Sequence, residues 1–120
     1  MKKILVVDDE KMIASAIQRV LQKAGHTVEL AHNGVEAIKK LESTQPGTYD
    51  LIIMDLLMPE INGSDVLDWI TIHRTGQKVI MMTAYGDNTT RQDLLKRGAS
   101  DVLTKPFDDI MVFPKLVENI

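Results

Sequence analysis

The sequence of 120 residues contains no cysteine, which excludes disulfide bonds, thiolate metal centres, iron–sulfur clusters and cysteine nucleophiles. It also lacks an excess of positive charge, because 14 Lys and Arg stand against 17 Asp and Glu, for a net charge of −3. Direct binding of nucleic acid or of a membrane surface by this domain is therefore not expected. No apolar run is long enough to cross a bilayer and the first residues do not form a signal peptide, so we expect a cytoplasmic protein.

The remaining composition is that of a globular domain. Hydrophobic residues make up 44% and charged residues 26% of the sequence, and both values are ordinary for a folded domain. No linker, low-complexity tract or internal repeat interrupts the chain. We therefore expect one domain over residues 1–120, large enough to bury roughly two thirds of its unfolded surface.

Short apolar runs alternate with segments of helical periodicity. The runs are nearly continuous in apolar residues, as strands covered on both faces should be. They lie at Ile4–Val7, Val28–Ala31, Leu51–Met54, Val79–Met82 and Val102–Leu103. The helical segments run from Ile13 to Ala24, from Asn33 towards Pro46, from about Ser64 to Arg74, from about Asp87 to Arg97, and after Pro106. This order predicts an α/β fold of five βα units, with a parallel sheet and helices on both faces.

Ionisable and polar residues follow the predicted strands at the points where they end. In parallel sheets the ligand site lies outside the carboxyl ends of the strands. The first strand leads into Asp8, Asp9 and Glu10, and the third leads into Asp55. The fourth and fifth are followed by Thr83 and Lys105.

Acids that converge on one edge repel each other unless a cation neutralises them. The three histidines are not spaced as a metal-binding cluster, and carboxylate oxygens alone suit a hard cation such as Mg²⁺. With a hydroxyl and a lysine beside them, the set fits phosphoryl transfer to a carboxylate nucleophile.

Four motifs in order carry a resemblance to a known family. They are Val6-Val7-Asp8-Asp9-Glu10, Asp55-Leu56-Leu57-Met58-Pro59 with Gly63, Met82-Thr83-Ala84, and Gly98-Ala99 before Thr104-Lys105-Pro106-Phe107. Together they resemble a response-regulator receiver domain of two-component signalling over essentially the whole chain. The resemblance implies a flavodoxin-like sheet with strand order 2-1-3-4-5.

The resemblance also implies the role of each site residue. Asp55 is expected to be the phosphoacceptor, and Thr83 and Lys105 are expected to contact the phosphoryl oxygens. Mg²⁺ is expected at Asp8, Asp9 and Asp55, with the backbone carbonyl of Leu57 as a further ligand. A cis bond between Lys105 and Pro106 is implied by the family alone.

The implied partners and output follow from the same resemblance. The phosphoryl donor is expected to be a sensor histidine kinase or a phosphotransfer protein. The expected output is a conformational change read by a C-terminal output domain or a downstream protein, with homodimerisation on phosphorylation. The chain is thus interpreted as a signalling switch that promotes only its own phosphorylation and dephosphorylation, rather than as an enzyme.

Three features depart from common receivers. Val102 stands where many members carry an aromatic ring, and its stiff side chain makes an aromatic switch doubtful. Pro114 falls inside the predicted fifth helix, which must either kink there or begin late with Pro114 in its first turn. Leu57 and Tyr85, two residues beyond Asp55 and Thr83, are bulky where the family controls water access to the phosphoryl group.

Three alternative functions remain open. A phosphatase with an aspartyl nucleophile usually places a second acid two residues further on, where this chain has Leu57. A flavin- or nucleotide-binding module needs a loop rich in glycine or hydroxyl residues after the first strand, where this chain has acids. A receiver fold that works without phosphate is the third alternative, and the complete acid set together with Thr83 and Lys105 counts against it.

Overall fold

Strands and helices alternate in the computed structural model, which describes residues 1–84, 87–105 and 112–118. The strands are β1 Lys3–Val7, β2 Thr27–Ala31, β3 Leu51–Asp55, β4 Val79–Thr83 and β5 Asp101–Thr104. The helices are α1 Lys11–Lys23, α2 Gly34–Glu42, α3 Gly63–His73, α4 Asn88–Lys96 and α5 Val112–Glu118. Each predicted strand is present, and the boundaries differ from the predicted ones by one residue or none.

The strands form one parallel sheet in the order β2-β1-β3-β4-β5. The predicted flavodoxin-like fold is therefore confirmed. The register of β1 against β3 pairs Val7 with Met54. The next residue of each strand segment, Asp8 and Asp55, therefore lies at the same edge of the sheet. This alignment is the structural origin of the candidate site.

Two hydrophobic layers cover the two faces of the sheet. Alternate residues of β1 point to opposite faces, as the twofold periodicity of a strand requires: Ile4 and Val6 pack with α1 and α5, whereas Leu5 and Val7 pack with α2, α3 and α4. The strands β3 and β4 are buried along their whole length. A site at the carboxyl edge of these central strands is consequently held by both layers of the core.

Side-chain caps mark the start of two helices in the described part of the chain. Asn33 caps α2 by accepting a hydrogen bond from the backbone N–H of Glu36 at 2.7 Å, as its position predicts. Asp87 caps α4 in the same way through Thr90, so Thr83 does not start that helix. None of the helices in the described part of the chain is long and apolar enough to span a membrane.

The fifth helix is described over Val112–Glu118, and Pro114 is the third residue of this part. Phe113 and Val117 are fully buried against the sheet. The start of the predicted helix after Pro106 lies outside the described residues, as does Pro106 with the predicted cis bond.

Candidate functional site

The site lies at the carboxyl edge of the sheet, where β1 and β3 end side by side. Asp55 is the last residue of β3, and Asp8 directly follows β1. The backbone N–H of Asp8 donates to the carbonyl of Ala31 in β2 at 3.1 Å, so the pairing of β1 with β2 continues to this acid. Asp8 is completely buried, and Asp55 is 6% exposed.

The loop after β3 folds back tightly behind Asp55. The backbone N–H of Leu56 donates to the carbonyl of Met82 at 2.8 Å, and that of Gly63 donates to the carbonyl of Leu56 at 2.6 Å. A Cβ atom at Gly63 would overlap the backbone carbonyl of Asp55. Gly63 therefore permits a close approach of two backbone segments, and this gives the sequence motif a structural meaning.

Three carboxylates converge at this edge. One ligand atom from each of Asp8, Asp9 and Asp55 lies within 4.8 Å of the other two. Asp9 is exposed, whereas the other two acids are buried. The group is thus accessible from the side of Asp9 and closed on the side of the core.

Lys105 places a positive charge against the two buried acids. Its Nζ atom lies 3.2 Å from Oδ2 of Asp8 and 3.2 Å from Oδ1 of Asp55. The backbone N–H of Lys105 donates to the carbonyl of Thr83 at 2.7 Å, which continues the pairing of β5 with β4. Thr83 itself is buried at the end of β4. The four predicted positions on β1, β3, β4 and β5 are therefore brought to one edge.

The electrostatics of the site follow from burial and from the crowding of like charges. Burial and the neighbouring Asp8 carboxylate raise the pKa of Asp55 to about 6, although Lys105 opposes the shift. Burial also raises the pKa of Asp8, against the lowering effect of the Glu10 backbone N–H and of Lys105. Burial lowers the pKa of Lys105, but the Asp55 and Asp8 carboxylates outweigh it and leave this pKa above its usual value.

These residues fit a hard divalent cation. The donor set is made of carboxylate oxygens, which Mg²⁺ prefers, and three such groups lie together beside the single ammonium of Lys105. Oδ1 of Asp8 accepts the backbone N–H of Glu10 at 2.9 Å, whereas Oδ2 lies beside the Lys105 ammonium. The acidic cluster is consistent with a magnesium site.

The structure adds one residue to the predicted set and leaves the predictions for Leu57 and Tyr85 untested. Oε1 of Glu10 lies 3.5 Å from Nζ of Lys105, and the only sequence signal for it was its place as the third acid in a row. The side chain of Leu57 is 50% exposed, and the role of its carbonyl remains a prediction. Tyr85 lies outside the described residues.

The comparisons with known proteins identify the family. Residues 4–116 match the response regulator receiver domain. The fold and this match together define a receiver-type signalling domain. The chain belongs to the family of response regulator receiver domains of two-component systems.

Relatives and solved structures support this membership. The chain is 38% identical over 106 residues to the alkaline phosphatase synthesis transcriptional regulatory protein PhoP of Bacillus subtilis, a match covering 88% of the chain and 43% of the relative. It is 39% identical over 110 residues to the transcriptional regulatory protein CpxR of Escherichia coli, covering 91% of the chain and 45% of the relative. The chain thus spans less than half the length of these curated relatives.

Two solved structures resemble the whole chain. The response regulator TrrA of Thermotoga maritima, solved in complex with Mg²⁺–BeF, has a TM-score of 0.83 and 37% identity, with 100% of both chains covered. The chemotaxis protein CheY4 of Vibrio cholerae has a TM-score of 0.89 and 29% identity, covering 100% of this chain and 98% of the other.

Proposed function

We propose that this domain accepts a phosphoryl group on Asp55 from a phosphohistidine, in a reaction that requires Mg²⁺, and changes its surface in response. One observation carries the proposal. The buried carboxylate of Asp55 lies beside the Lys105 ammonium at 3.2 Å and within metal-ligand distance of Asp8 and Asp9. This arrangement supports the proposal because it brings together a carboxylate for attack on phosphorus, two further acids for a metal, and an ammonium group for the phosphoryl oxygens.

The transfer is a displacement at phosphorus. An oxygen of the Asp55 carboxylate forms the new bond while the bond between phosphorus and the donor imidazole nitrogen breaks, and the bonding electrons remain on that nitrogen. The product is an aspartyl phosphate. Because phosphoryl transfer depends mainly on positioning and charge neutralisation, the fixed placement of Asp55 at the end of a buried strand favours it.

Asp8, Asp9 and Asp55 would hold the metal through carboxylate oxygens, with the Leu57 carbonyl as the further ligand expected from the family. When bound, Mg²⁺ supplies neutralisation of the phosphoryl oxygens and of the acid cluster itself. Lys105 leaves Asp8 and contacts a phosphoryl oxygen in the product. The Thr83 hydroxyl, at the end of the neighbouring strand, donates a hydrogen bond to another oxygen.

The output in this proposal is conformational rather than chemical. The domain promotes its own phosphorylation and dephosphorylation and shifts between two states that the phosphoryl group binds unequally. A sensor histidine kinase or phosphotransfer protein supplies the group. The matched relatives are transcriptional regulators at least twice as long as this match, so we propose an attached or separate output partner, with homodimerisation on phosphorylation. Residues 1–120 form the receiver in this interpretation.

Labelled acetyl phosphate tests the proposal directly. The wild-type domain is expected to incorporate phosphate with Mg²⁺ present and to incorporate none in excess EDTA. Asp55→Asn should abolish incorporation, whereas Asp65→Asn, which removes an exposed acid of α3, should leave it unchanged. Normal incorporation by the Asp55 variant, or by the wild type without metal, would contradict the proposal.

A further inference from the structure

Asparagine followed by glycine occurs twice in the sequence, at Asn33-Gly34 and at Asn62-Gly63. This dipeptide is prone to deamidation, because glycine has no side chain to hinder attack of its backbone nitrogen on the preceding side-chain amide. Each asparagine is the residue before a helix, Asn33 before α2 and Asn62 before α3. The two pairs hold equivalent places in the fold and can be compared through the contacts around them.

Neither pair has the backbone geometry for the reaction in the closed fold. Attack forms a five-membered ring, which requires the glycine nitrogen to turn towards the Cβ of the asparagine. The ψ angles are 173° at Asn33 and 152° at Asn62, so both are extended and the ring cannot close without rotation about this bond. Deamidation therefore requires local opening, and the contacts that resist opening decide which asparagine reacts.

The side chain and the following glycine of Asn33 are both held in place. Its Oδ1 atom accepts the backbone N–H of Glu36 at 2.7 Å, and Oε2 of Glu36 accepts the backbone N–H of His32 at 3.2 Å. This reciprocal arrangement resembles a capping box and fixes the side-chain amide at the start of α2. Gly34 is buried, and a Cβ there would lie 2.9 Å from Cγ2 of Val66, so its backbone has little room to turn.

The side chain of Asn62 is exposed and, among the described residues, makes no capping hydrogen bond to α3. Its amide is therefore free to turn towards the next nitrogen. The main protection of this pair is a backbone bond, in which the N–H of Gly63 donates to the carbonyl of Leu56 at 2.6 Å. That short bond keeps the proton on the attacking nitrogen and resists rotation, so reaction at Asn62 requires it to open.

The loop that carries this bond is strained. Glu60 has a φ of 71°, the only positive value at a non-glycine position in the residues that the structure describes. A γ-turn closes around it, in which the N–H of Ile61 donates to the carbonyl of Pro59 at 2.8 Å. A γ-turn with positive φ is rare and strained, and opening of the loop releases that strain. The connection from β2 to α2 contains no residue with positive φ, so strain favours opening at Asn62 over Asn33.

We propose that Asn62 is a deamidation site of the folded domain, protected by the Leu56 carbonyl, and that its conversion to isoaspartate prevents phosphorylation of Asp55. When Leu56 releases Gly63, the glycine nitrogen loses its proton to a solvent base and bonds to Cγ of Asn62. The bond between Cγ and Nδ2 breaks, and Nδ2 takes up one proton from solvent and leaves as ammonia. Water then adds to one carbonyl of the resulting succinimide, while the bond from that carbon to nitrogen breaks and the nitrogen regains a proton.

The two products of the ring differ in main-chain length. Addition of water at Cγ restores the ordinary main chain as aspartate. Addition at the other carbonyl leaves Gly63 joined through Cγ, so isoaspartate adds one carbon to the main chain directly before Gly63. A Cβ at Gly63 would already overlap the backbone carbonyl of Asp55, so the closed loop has no room for the longer chain. The carbonyl of Asp55 is therefore displaced, and the resulting loss of phosphorylation rests on the proposed function.

Ageing of the purified domain at mildly alkaline pH tests the site. Peptide mass spectrometry measures deamidation at both asparagines, and methylation by an isoaspartyl methyltransferase with a labelled methyl donor measures isoaspartate. Asn62 should react several-fold faster than Asn33 in the folded domain. In guanidinium chloride, which removes the protecting contacts, the two rates should be similar and higher. Reaction of Asn33 at the same rate as Asn62, or faster, in the folded domain would overturn the proposal.

Variants of Glu60 test the opening of the strained loop. Glu60→Gly should slow deamidation of Asn62 several-fold, because glycine adopts a positive φ without strain, and should leave the rate at Asn33 unchanged. Glu60→Gln is the matched control, since it removes the charge, keeps the strained φ and should retain the wild-type rate. Equal rates at Asn62 in the two variants would overturn the proposed opening of the loop.

Labelled acetyl phosphate separates this inference from the proposed function. The aged isoaspartyl form is compared with Asn62→Asp, which has the same charge and an ordinary main chain. The isoaspartyl form should incorporate several-fold less phosphate, whereas Asn62→Asp should resemble the wild type. Equal incorporation by both would show that the effect on Asp55 is wrong, and the proposed function would stand. If neither the wild type nor Asn62→Asp incorporates phosphate, the proposed function fails, and the mass measurements still decide whether Asn62 is the deamidation site.

Discussion

Lys105 Nζ and Asp55 Oδ1 lie 3.2 Å apart at the edge of the sheet and form an ion pair in the unphosphorylated domain. The same ammonium is equally close to Oδ2 of Asp8. One ammonium group is thus paired with two buried carboxylates. The pKa of Asp55 is nevertheless raised to about 6, because burial and the Asp8 carboxylate raise it by more than Lys105 lowers it. Burial of the Asp55 carboxylate beside that of Asp8 therefore predicts that ionisation of Asp55 opposes folding.

The first prediction is that Asp55→Asn stabilises the metal-free domain at neutral pH. The folded state holds the Asp55 carboxyl at a pKa of about 6, above the ordinary value of 3.8, so at pH 7 its ionisation opposes folding by roughly 2–3 kcal/mol at most. Urea unfolding in EDTA measures the difference. Addition of Mg²⁺ should narrow it by stabilising the wild type more.

The pH dependence of the free energy of unfolding tests this effect of Asp55 ionisation independently. Because the raised pKa belongs to the folded state, the unfolded chain loses the Asp55 proton first as the pH rises. The contribution of the protonated Asp55 carboxyl to the stability of the folded state is therefore complete below about pH 4. It is lost as the pH rises from about 4 to 6. The free energy of unfolding of wild type minus that of the variant should fall across this window. A flat difference, or a less stable variant at pH 7, would contradict the electrostatic argument.

The sequence predicted the parts of this site that strands position. Asp8, Asp55, Thr83 and Lys105 directly follow or end their strands, and parallel pairing brings strand ends together whatever the side chains are. The raised pKa of Asp55 was not predictable in the same way, because it depends on burial by residues distant in sequence.

Contacts of long surface side chains were also beyond sequence analysis. Arg91 and Arg97 have no local signal for their partners Val102 and Asp68, because the reach of each guanidinium depends on how α4 lies against β5 and α3. Gly63 was part of a recognised motif, but the reason for it, the overlap of a Cβ with the Asp55 carbonyl, required the folded loop.

The second prediction concerns this glycine. Gly63→Ala should destabilise the domain by at least about 3 kcal/mol, because a methyl group would be forced against backbone atoms that have no rotamer to adopt. Gly47→Ala is the matched control, since the space around Gly47 is open and only its φ of 85° disfavours alanine. That variant should lose about 1 kcal/mol. Urea unfolding at equal Mg²⁺ compares the two.

Phosphate incorporation distinguishes an effect of Gly63→Ala on the site from an effect on the stability of the whole domain. Gly63→Ala should also slow phosphate incorporation under conditions where the variant is still folded, because the displaced carbonyl belongs to Asp55. Gly47→Ala should incorporate phosphate at the wild-type rate. Similar stability losses for both variants would show that the loop yields more easily than its geometry indicates.

The third prediction separates phosphorylation from switching. Lys105→Ala should still incorporate phosphate, because Asp55 carries the group, but the conformational response should weaken. A hydrogen bond to a charged group contributes roughly 1.5–3 kcal/mol, which is enough to shift a two-state population substantially. Amide chemical shifts before and after phosphorylation measure the response. Shift changes of the same size and extent with and without the Lys105 side chain would refute its role.

The last prediction concerns the lifetime of the phosphorylated state. Hydrolysis of an aspartyl phosphate needs a water placed in line behind phosphorus, and in the family the residue two positions beyond the phosphoacceptor borders that approach. Leu57 occupies this position with a half-exposed side chain that can neither donate nor accept a hydrogen bond. Because this side chain cannot orient an attacking water, we expect slow release of phosphate.

Leu57→Asn should shorten the phosphorylated half-life without preventing phosphorylation, because an amide can hold the water. Full general-base assistance contributes roughly 10²-fold or more to a rate. We expect a smaller increase in the hydrolysis rate here, because the amide only orients the water. Leu57→Met is the matched control, as it keeps an apolar side chain of similar volume and should retain the wild-type half-life. Release of labelled phosphate at equal Mg²⁺ measures all three proteins. Equal half-lives for the asparagine and methionine variants would reject the shielding argument and leave Asp55 as the proposed phosphoacceptor.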